Sequence, residues 1–451
     1  MELEKIPILG WIMNLLGGED IDYGLPVFLI GLVFIIFGFH YIGLPQSKIV
    51  SFVFATAPIW LPIVTFVTFF DIYMLMLGKK FGLKSGRVVM EVILPPEVLK
   101  SPEAMEIVFN QIYNAASPDN LMETYIVGKR PLPYTFELVS RGGDVHFYVT
   151  TPEKFVNSFT DNLYAQYPGV EIVKLELDYT AEIPKSLKGH SLMSFHVHKK
   201  EKEVYPIKTY IDFGLDKNPK EEEKVDPMTP MLEVLAGIEA HQQVWVQFIC
   251  IAHRKSGFKL GQLKSKGTWE KDVHAEIDML MMRDSKTKTG MADLDGMPRI
   301  TTGERDTIEA MERNVAKVAF KFACRVIYIS HKNDHDFDGG LFSRISRMVA
   351  QTEIKGRNGL GIRWRTDYNY KLFSDPFGKK IPAMKRAELK EYKTRKLYKK
   401  TAGMNYKIMT SEEMATIFHL PGAVAITPTL NRVGSTKSDA PSNLPTGNIS
   451  F

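Results

Sequence analysis

Two long uncharged runs lie near the start of the chain, over residues 25–44 and residues 49–70. Twenty helical residues span about 30 Å, the thickness of a bilayer core. The runs therefore predict two transmembrane helices, and they fit a pair of buried core helices less well, since such helices rarely lack charges over this length. Pro58 and Pro62 favour a kink in the second run, so a re-entrant hairpin is the alternative to a full second crossing.

Charge divides the chain where the second run ends. Residues 1–78 contain two basic and six acidic side chains, a net charge of −4, so the remaining residues carry +9 within a total of +5. Lys79, Lys80, Lys84 and Arg87 follow the second run, whereas Lys48 is the one basic residue between the runs. Because basic loops remain on the cytoplasmic side, residues 1–78 are predicted to be a membrane anchor with the large C-terminal part in the cytoplasm.

Alternating β-rich segments and amphipathic helices follow the anchor in the order βαββαβ, over residues 88–180. Residues 101–103, Ser-Pro-Glu, have the composition of a helix N-terminus, and residues 141–143, Arg-Gly-Gly, that of a hairpin connection. The order is that of a ferredoxin-like split βαβ unit, with two helices on one face of a sheet. We therefore predict a first ferredoxin-like module here.

A second, elaborated α+β module is predicted over residues 190–378. Its insertion, residues 254–302, is rich in Lys, Asp, Gly and Met and predicts a mobile or partner-ordered loop. A basic segment follows at 379–407, and a short helix with an extended tail at 408–451. The predicted fold class is α+β, with two N-terminal transmembrane helices followed by two ferredoxin-like α/β-sandwich modules.

The basic segment contains eleven basic and two acidic residues. Its apolar face is ragged, which is typical of a solvated helix or linker. Contact with nucleic-acid phosphates, anionic lipid or an acidic partner is the alternative. The candidate anion-contacting residues are Lys385, Arg386, Lys390, Lys393, Arg395, Lys396, Lys399 and Lys400.

The sequence contains no phosphate-binding Gly-x-x-x-x-Gly-Lys-Ser/Thr loop, no nucleophile elbow and no His-Glu-x-x-His. Residues 334–339 resemble the start of a calcium loop, but Ile345 occupies the position of its bidentate glutamate. His196 and His198 share a strand face without a third ligand nearby, and Cys250 and Cys324 lie in apolar runs typical of buried thiols. No catalytic residue, cofactor or metal site is predicted, and the chain is not expected to be an enzyme.

Ordered short motifs resemble a known family. They occupy residues 91–97, 100–105, 136–140, 146–149, 151–154, 164–168, 410–421, 427–428 and 440–445. Together they are similar to the membrane-proximal module of conjugative, type IV secretion-like ATPases of bacteria. In that family a RecA-like motor domain follows, and no such motor with its phosphate loop is present in these 451 residues.

The resemblance and the predicted anchor together imply a non-catalytic, membrane-anchored subunit of a type IV secretion, conjugation or DNA-translocation-like machine in the bacterial inner membrane. Such a subunit would oligomerise and dock a separately encoded RecA-like ATPase. Its expected partners are itself, that ATPase, the lipid bilayer and, as a further candidate, nucleic acid. Two alternatives stay open: a membrane-tethered nucleic-acid-binding protein, and a structural scaffold of a membrane complex that has no ATPase.

Overall fold

The computed structural model of the chain describes residues 46–95, 100–113, 120–216, 225–253, 269–281, 301–331, 338–366, 378, 380–396 and 406–421. The α-helices in this part are α1 (Gln46–Lys84), α2 (Pro102–Ile112), α3 (Val156–Gln166), α4 (Thr229–Ala236), α5 (Trp269–Leu280), α6 (Thr302–Val315), α7 (Gly339–Arg347), α8 (Lys380–Thr394) and α9 (Ser411–Ile417). The strands are β1 (Val88–Ile93), β2 (Tyr134–Arg141), β3 (Asp144–Thr151), β4 (Glu171–Lys174), β5 (His190–Lys199), β6 (Gln242–Ala252), β7 (Ala319–His331), β8 (Leu360–Arg365) and β9 (Lys407–Thr410). The shorter elements of this part are a turn of π-helix, Glu123–Val127, and 3-10 turns at Glu153–Phe155, Tyr179–Glu182 and Ala350–Thr352. We refer to Tyr179–Glu182 as the 3-10 turn.

All nine strands belong to one antiparallel sheet in the order β4-β1-β3-β2-β6-β7-β5-β8, and β9 pairs with the first residues of β7. The order β4-β1-β3-β2 of the first half is that of a split βαβ unit. The second half repeats this order as β8-β5-β7-β6. The two halves are joined where β2 pairs with β6, from Tyr134 opposite Cys250 to Arg141 opposite Gln243.

This single sheet corrects the predicted fold class. We predicted two α/β-sandwich modules behind a membrane anchor, whereas both βαββαβ units share one continuous antiparallel sheet. The two units form one sheet because of the strands at which they meet. Strands β2 and β6 are long and almost all of their side chains are buried, so neither strand lies at an exposed edge. Pairing them satisfies their backbone hydrogen bonds and protects both edges from solvent.

The predicted membrane anchor is also wrong for the part of the chain that the structure covers. Among the described residues, no helix combines the length and the apolar character that crossing a bilayer requires. The second uncharged run lies in α1, which includes Pro58, Pro62 and several hydroxyl side chains and continues to Lys84. An absence of charge is a weaker criterion than a continuous apolar surface. The first run, residues 25–44, lies outside the described residues. The same finding on the described helices corrects the predicted location, which was a multi-pass protein of the inner membrane with a cytoplasmic C-terminal part.

Strand alternation divides the core between the two faces of the sheet. One face carries the larger apolar cluster, which includes Phe136, Phe248 and Tyr328 and packs against α2, α3, α4, α7 and α9. The other face carries a smaller cluster around Trp245, which packs against α8 and the 3-10 turn. Helices α2, α3, α4, α7 and α9 therefore form a layer on one face, α8 lies on the other face, and α5 and α6 pack against Ala319 and Ile408 in a third cluster.

Residues 407–421 are built into the core rather than extending from it. Thr410 caps α9 through a capping box with Glu413, and every residue of α9 is buried. Ser411 to Leu420 lie among the buried residues of the helix layer. The predicted short helix of this segment thus completes the larger apolar cluster, while residues 422–451 lie outside the described residues.

Candidate functional site

A row of polar side chains crosses four adjacent strands beneath α8. Glu137 on β2 lies opposite Gln247 on β6, which lies opposite Arg325 on β7, which lies opposite His196 on β5. Directly opposed residues of an antiparallel sheet point to the same face. All four are at most 5% exposed, although their strand neighbours are apolar. We refer to these four residues as the polar row.

Helix α8 supplies the charges that complement the polar row. Arg325 Nε donates to Glu388 Oε2 at 3.1 Å, and its Nη2 donates to Glu391 Oε2 at 3.2 Å. His196 Nε2 lies 2.8 Å from the same Glu388 oxygen. Residues three and four apart share one helix face, so Glu388, Glu391 and Tyr392 all point to the sheet.

Arg395 completes the row from the end of α8. Its backbone is left-handed, with φ 52°, at a position after a helix where glycine is usual. Its Nε donates to Glu137 Oε1 at 2.9 Å and its Nη2 to Glu137 Oε2 at 3.2 Å, while Nη1 donates to Asp178. The strained backbone is therefore stabilised by a two-pronged ion pair inside the protein.

Glu137 is the most extensively bonded carboxylate of the site. Besides Arg395, it accepts hydrogen bonds from Tyr179 Oη at 2.8 Å and from Gln247 Nε2 at 2.8 Å. The hydroxyl groups of Tyr179 and Tyr392 are 2.9 Å apart, which links the 3-10 turn to α8. A buried carboxylate with this number of donors fixes the positions of the elements that supply them.

The shifts in pKa agree with a hydrogen-bond network whose members are held in fixed positions. Burial raises the pKa values of Tyr179 and Tyr392 well above their usual range, so both stay neutral. Burial lowers the pKa of His196, so its neutral imidazole donates to Glu388. Burial opposes ionisation of Glu388, yet the hydrogen bond with His196 and the charge of Arg325 lower the pKa of Glu388.

The side chains of the polar row and of α8 form their hydrogen bonds with one another. Ser194 Oγ donates to Glu388 Oε2 at 3.4 Å, and His196 binds the same oxygen. The hydroxyl and the imidazole thus share a carboxylate instead of facing each other, which is not the arrangement of a nucleophile with its general base. Among the described residues, no group of three or more His, Cys, Asp or Glu side chains could hold a metal ion.

The structure separates the eight predicted anion-contacting residues. Arg386, Lys390 and Lys396 are exposed, and Lys385 and Lys393 are half-buried. Lys393 donates to the carbonyl of Ile183, and Arg395 is buried in its ion pairs. Lys399 and Lys400 lie outside the described residues. Helix α8 is therefore a packed element of the fold with a narrower basic surface than its sequence predicts.

Sequence reasoning missed the polar row apart from His196, which it noted as part of a weak metal signal. The available signal was a charged or amide side chain inside an otherwise apolar strand, at Glu137, Gln247 and Arg325. A buried charge needs a partner. Such residues therefore indicate a complementary element elsewhere in the chain.

A second buried ion pair holds α9. Lys199 Nζ, on β5, lies 2.7 Å from Glu413 Oε1, and both side chains are fully buried. The backbone N–H of Ile207 donates to the same Glu413 oxygen at 3.0 Å. Helix α9 is thus fixed from β5 and from the loop after it.

Comparison with known proteins adds no family to this geometry. No protein-family model matches the chain, and no curated protein sequence matches it. None of the described helices could cross a bilayer, and no match supports a place in type IV secretion or conjugation. The predicted transmembrane helices and the predicted place in type IV secretion or conjugation are therefore corrected.

Proposed function

We propose that this protein is a non-catalytic scaffold subunit that associates with other copies of itself. The single observation that carries the proposal is the closed face of the sheet. In a split βαβ unit the face opposite the helices is open to a ligand, whereas here α8 covers it through Arg325, Arg395 and their carboxylate partners.

A catalytic site needs polar groups that are aimed at a substrate. The carboxylates of the polar row and of α8 instead bind arginine side chains of the same chain, at 0% to 10% side-chain exposure. Their contribution is to hold α8 in one position. This arrangement favours a structural role for the polar row over a chemical one.

The single continuous sheet is a second observation that supports the scaffold role. Two units joined by the pairing of β2 with β6, from Tyr134 opposite Cys250 to Arg141 opposite Gln243, cannot rotate against each other as linked domains do. A rigid platform of this kind presents its outer surfaces at fixed distances. The separately encoded RecA-like ATPase that the resemblance implies remains a predicted partner, and nucleic-acid binding through the exposed basic residues of α8 remains the alternative.

Sedimentation equilibrium of the purified full chain over a wide concentration range tests the proposal. We expect the average mass to rise with concentration from one chain to a defined multiple. A mass of one chain at every concentration would exclude a self-associating scaffold. Catalytic turnover by the purified chain, lost when Glu388 or Arg325 is replaced but not when α8 surface residues are, would show that the polar row does chemistry.

A further inference from the structure

Two histidines face each other at one end of the pairing between β5 and β7. His190 is the first residue of β5 and lies directly opposite His331, the last residue of β7. Directly opposed residues of an antiparallel pair point to the same face, with Cβ atoms about 4.5–5.5 Å apart. The centroids of the two imidazole rings are 4.6 Å apart, with 43° between the ring planes. We refer to these two residues as the histidine pair.

The histidine pair lies on the same face of the sheet as α8 but beyond the apolar cluster. Side chains alternate along a strand, so His190, Leu192 and His196 share one face of β5. Leu192 is buried in the cluster around Trp245, whereas His190 is half-buried and His331 is exposed. The pair is therefore accessible to an ion from solvent, unlike the polar row.

A backbone carbonyl fixes the hydrogen on the His190 ring. His190 Nδ1 lies 3.0 Å from the carbonyl oxygen of Lys188. Because a carbonyl only accepts, Nδ1 carries the hydrogen, and Nε2 of the neutral ring keeps its lone pair. Histidines that bind a metal ion commonly donate their second ring N–H to a carbonyl or a carboxylate, which orients the ring. His190 is thus in the tautomeric form that binds through Nε2.

The turn that carries the Lys188 carbonyl is itself fixed. Leu187 has φ 55° and Gly189 has φ 78°, and the backbone N–H of His190 donates to the carbonyl of Leu187 at 3.1 Å. A left-handed backbone is unfavourable for leucine, and the Leu187 side chain offsets that cost by packing against the cluster around Trp245. The Lys188 carbonyl, and with it the His190 ring, is therefore held in place before any ion binds.

From this geometry we infer that the histidine pair binds a divalent transition-metal ion of the class of Zn²⁺, Ni²⁺ and Cu²⁺. Neutral imidazole suits these ions, whereas Mg²⁺ and Ca²⁺ prefer oxygen ligands. At a Zn–N distance of about 2.0–2.1 Å, one ion joins two nitrogens that are up to about 4.2 Å apart. Ring centroids at 4.6 Å place the two imidazoles within that reach after small rotations of the His331 side chain.

Two protein ligands make an open site. Among the described residues, no cluster of three or more His, Cys, Asp or Glu side chains supplies a third ligand, so water completes the coordination and we expect a dissociation constant in the micromolar range. The two histidines are far apart in the chain, so the pair exists only in the folded protein. A bound ion therefore stabilises the fold, and zinc at about 100 times its dissociation constant should raise the ratio of folded to unfolded chains about 100-fold.

Zinc titration of the full chain by isothermal calorimetry at about pH 8, where ordinary imidazoles are neutral, tests the pair. His190→Ala and His331→Ala each remove one of two linked ligands, so we expect each to raise the zinc dissociation constant by at least about 100-fold. His331→Cys supplies a thiolate, which is itself a zinc ligand, and should keep the binding. The matched control is His274→Ala, at an exposed position of α5, which should leave the constant unchanged.

A measurement on the wild-type chain tests the pair without any substitution. Zinc should slow the acylation of both His190 and His331 by diethyl pyrocarbonate, mapped by mass spectrometry, and leave that of His274 unchanged. A wild-type chain that binds no zinc at millimolar concentration overturns the site. Zinc binding that survives either alanine substitution, or protection of only one of the two histidines, places the ion elsewhere and overturns it as well.

Discussion

Arg395 and Glu137 form a two-pronged ion pair although 258 residues separate them in the chain. The guanidinium of Arg395, the residue after α8, extends to Glu137 on β2. Despite the cost of burial, the charges of Glu137 and Asp178 raise the pKa of Arg395. The pair thus links the first βαββαβ unit to an element that follows the second.

Replacing Arg395 by alanine should strongly destabilise the protein. The change leaves Glu137 as a buried anion without its cation, and breaking a buried pair in this way costs about 3–5 kcal/mol. Urea unfolding followed by circular dichroism measures the free energy of unfolding. Lys396→Ala, at the exposed neighbouring position, is the control and should change that free energy by less than about 0.5 kcal/mol. Equal effects of the two substitutions would contradict a central role for the pair.

Arg395→Gly should be less harmful than Arg395→Ala. Both substitutions remove the guanidinium, but glycine adopts the left-handed backbone at φ 52° without the penalty of about 1 kcal/mol that a Cβ atom brings. We expect the glycine variant to be the more stable by about that amount in the same urea experiment. If the alanine variant were the more stable, the backbone of Arg395 would not be strained.

Glu413→Ala should destabilise α9 and the strand beneath it. The substitution leaves the fully buried Lys199 without its anion and removes the capping box of α9, at a cost of about 3–5 kcal/mol. Adding Lys199→Met should recover part of that loss, because an apolar side chain then replaces an unpaired charge. A double variant no more stable than Glu413→Ala would show that the ammonium was not the source of the cost.

Stability should depend on pH through His146. Its Nδ1 lies 2.7 Å from Glu91 on β1 and its Nε2 lies 3.1 Å from Asp144, and the hydrogen bond with Glu91 raises the pKa of His146 above 6.5. Since the folded-state pKa exceeds the unfolded-state value, this stabilisation is complete below about pH 6.5 and is lost as the pH rises through the folded-state pKa.

His146→Gln removes this titration. We expect the difference in unfolding free energy between the wild-type chain and the variant to be largest in mild acid and to shrink above neutral pH. Urea unfolding at a series of pH values measures it, with the exposed His274→Gln as the control. A difference that does not change with pH would contradict the role of the imidazolium.

Any binding of nucleic acid by α8 should depend on Arg386, Lys390 and Lys396, the candidate residues that are exposed in the described part of the chain. Replacing all three by alanine should abolish salt-dependent binding to duplex DNA and leave the unfolding free energy nearly unchanged. Fluorescence anisotropy at several salt concentrations measures this binding. Undiminished binding by the triple variant would place the contact elsewhere.

Sequence patterns located the elements of the first unit well. The predicted glycine-bearing connection at residues 141–143 agrees with the turn between β2 and β3 to within one residue, because Gly142 and Gly143 both adopt positive φ values there. The helix start at Ser101-Pro102 was visible for the same local reason. Such signals depend on a few neighbouring residues, so one sequence suffices to read them.

The position of α8 could not be predicted in this way. Its sequence looks like a solvated basic helix because Glu388 and Glu391 break the apolar face. Those carboxylates point inward because Arg325 and His196, on strands far away in the chain, lie beneath them. The charge-free run of residues 49–70 wrongly predicted a transmembrane helix, because a count of charged residues does not measure how apolar a helix surface is.

Among the described residues, the pairing of β2 with β6 leaves β4 and β8 at the two ends of the strand order, while the four-residue β9 pairs with β7 alone. Strand β4 is four residues long, with Glu171 and Lys174 at its ends, and β8 carries the exposed Arg363. Short or charged edge strands resist the addition of further strands from other molecules. By burying its longest strands at the centre, the chain gains a broad sheet that remains protected against amyloid-like growth.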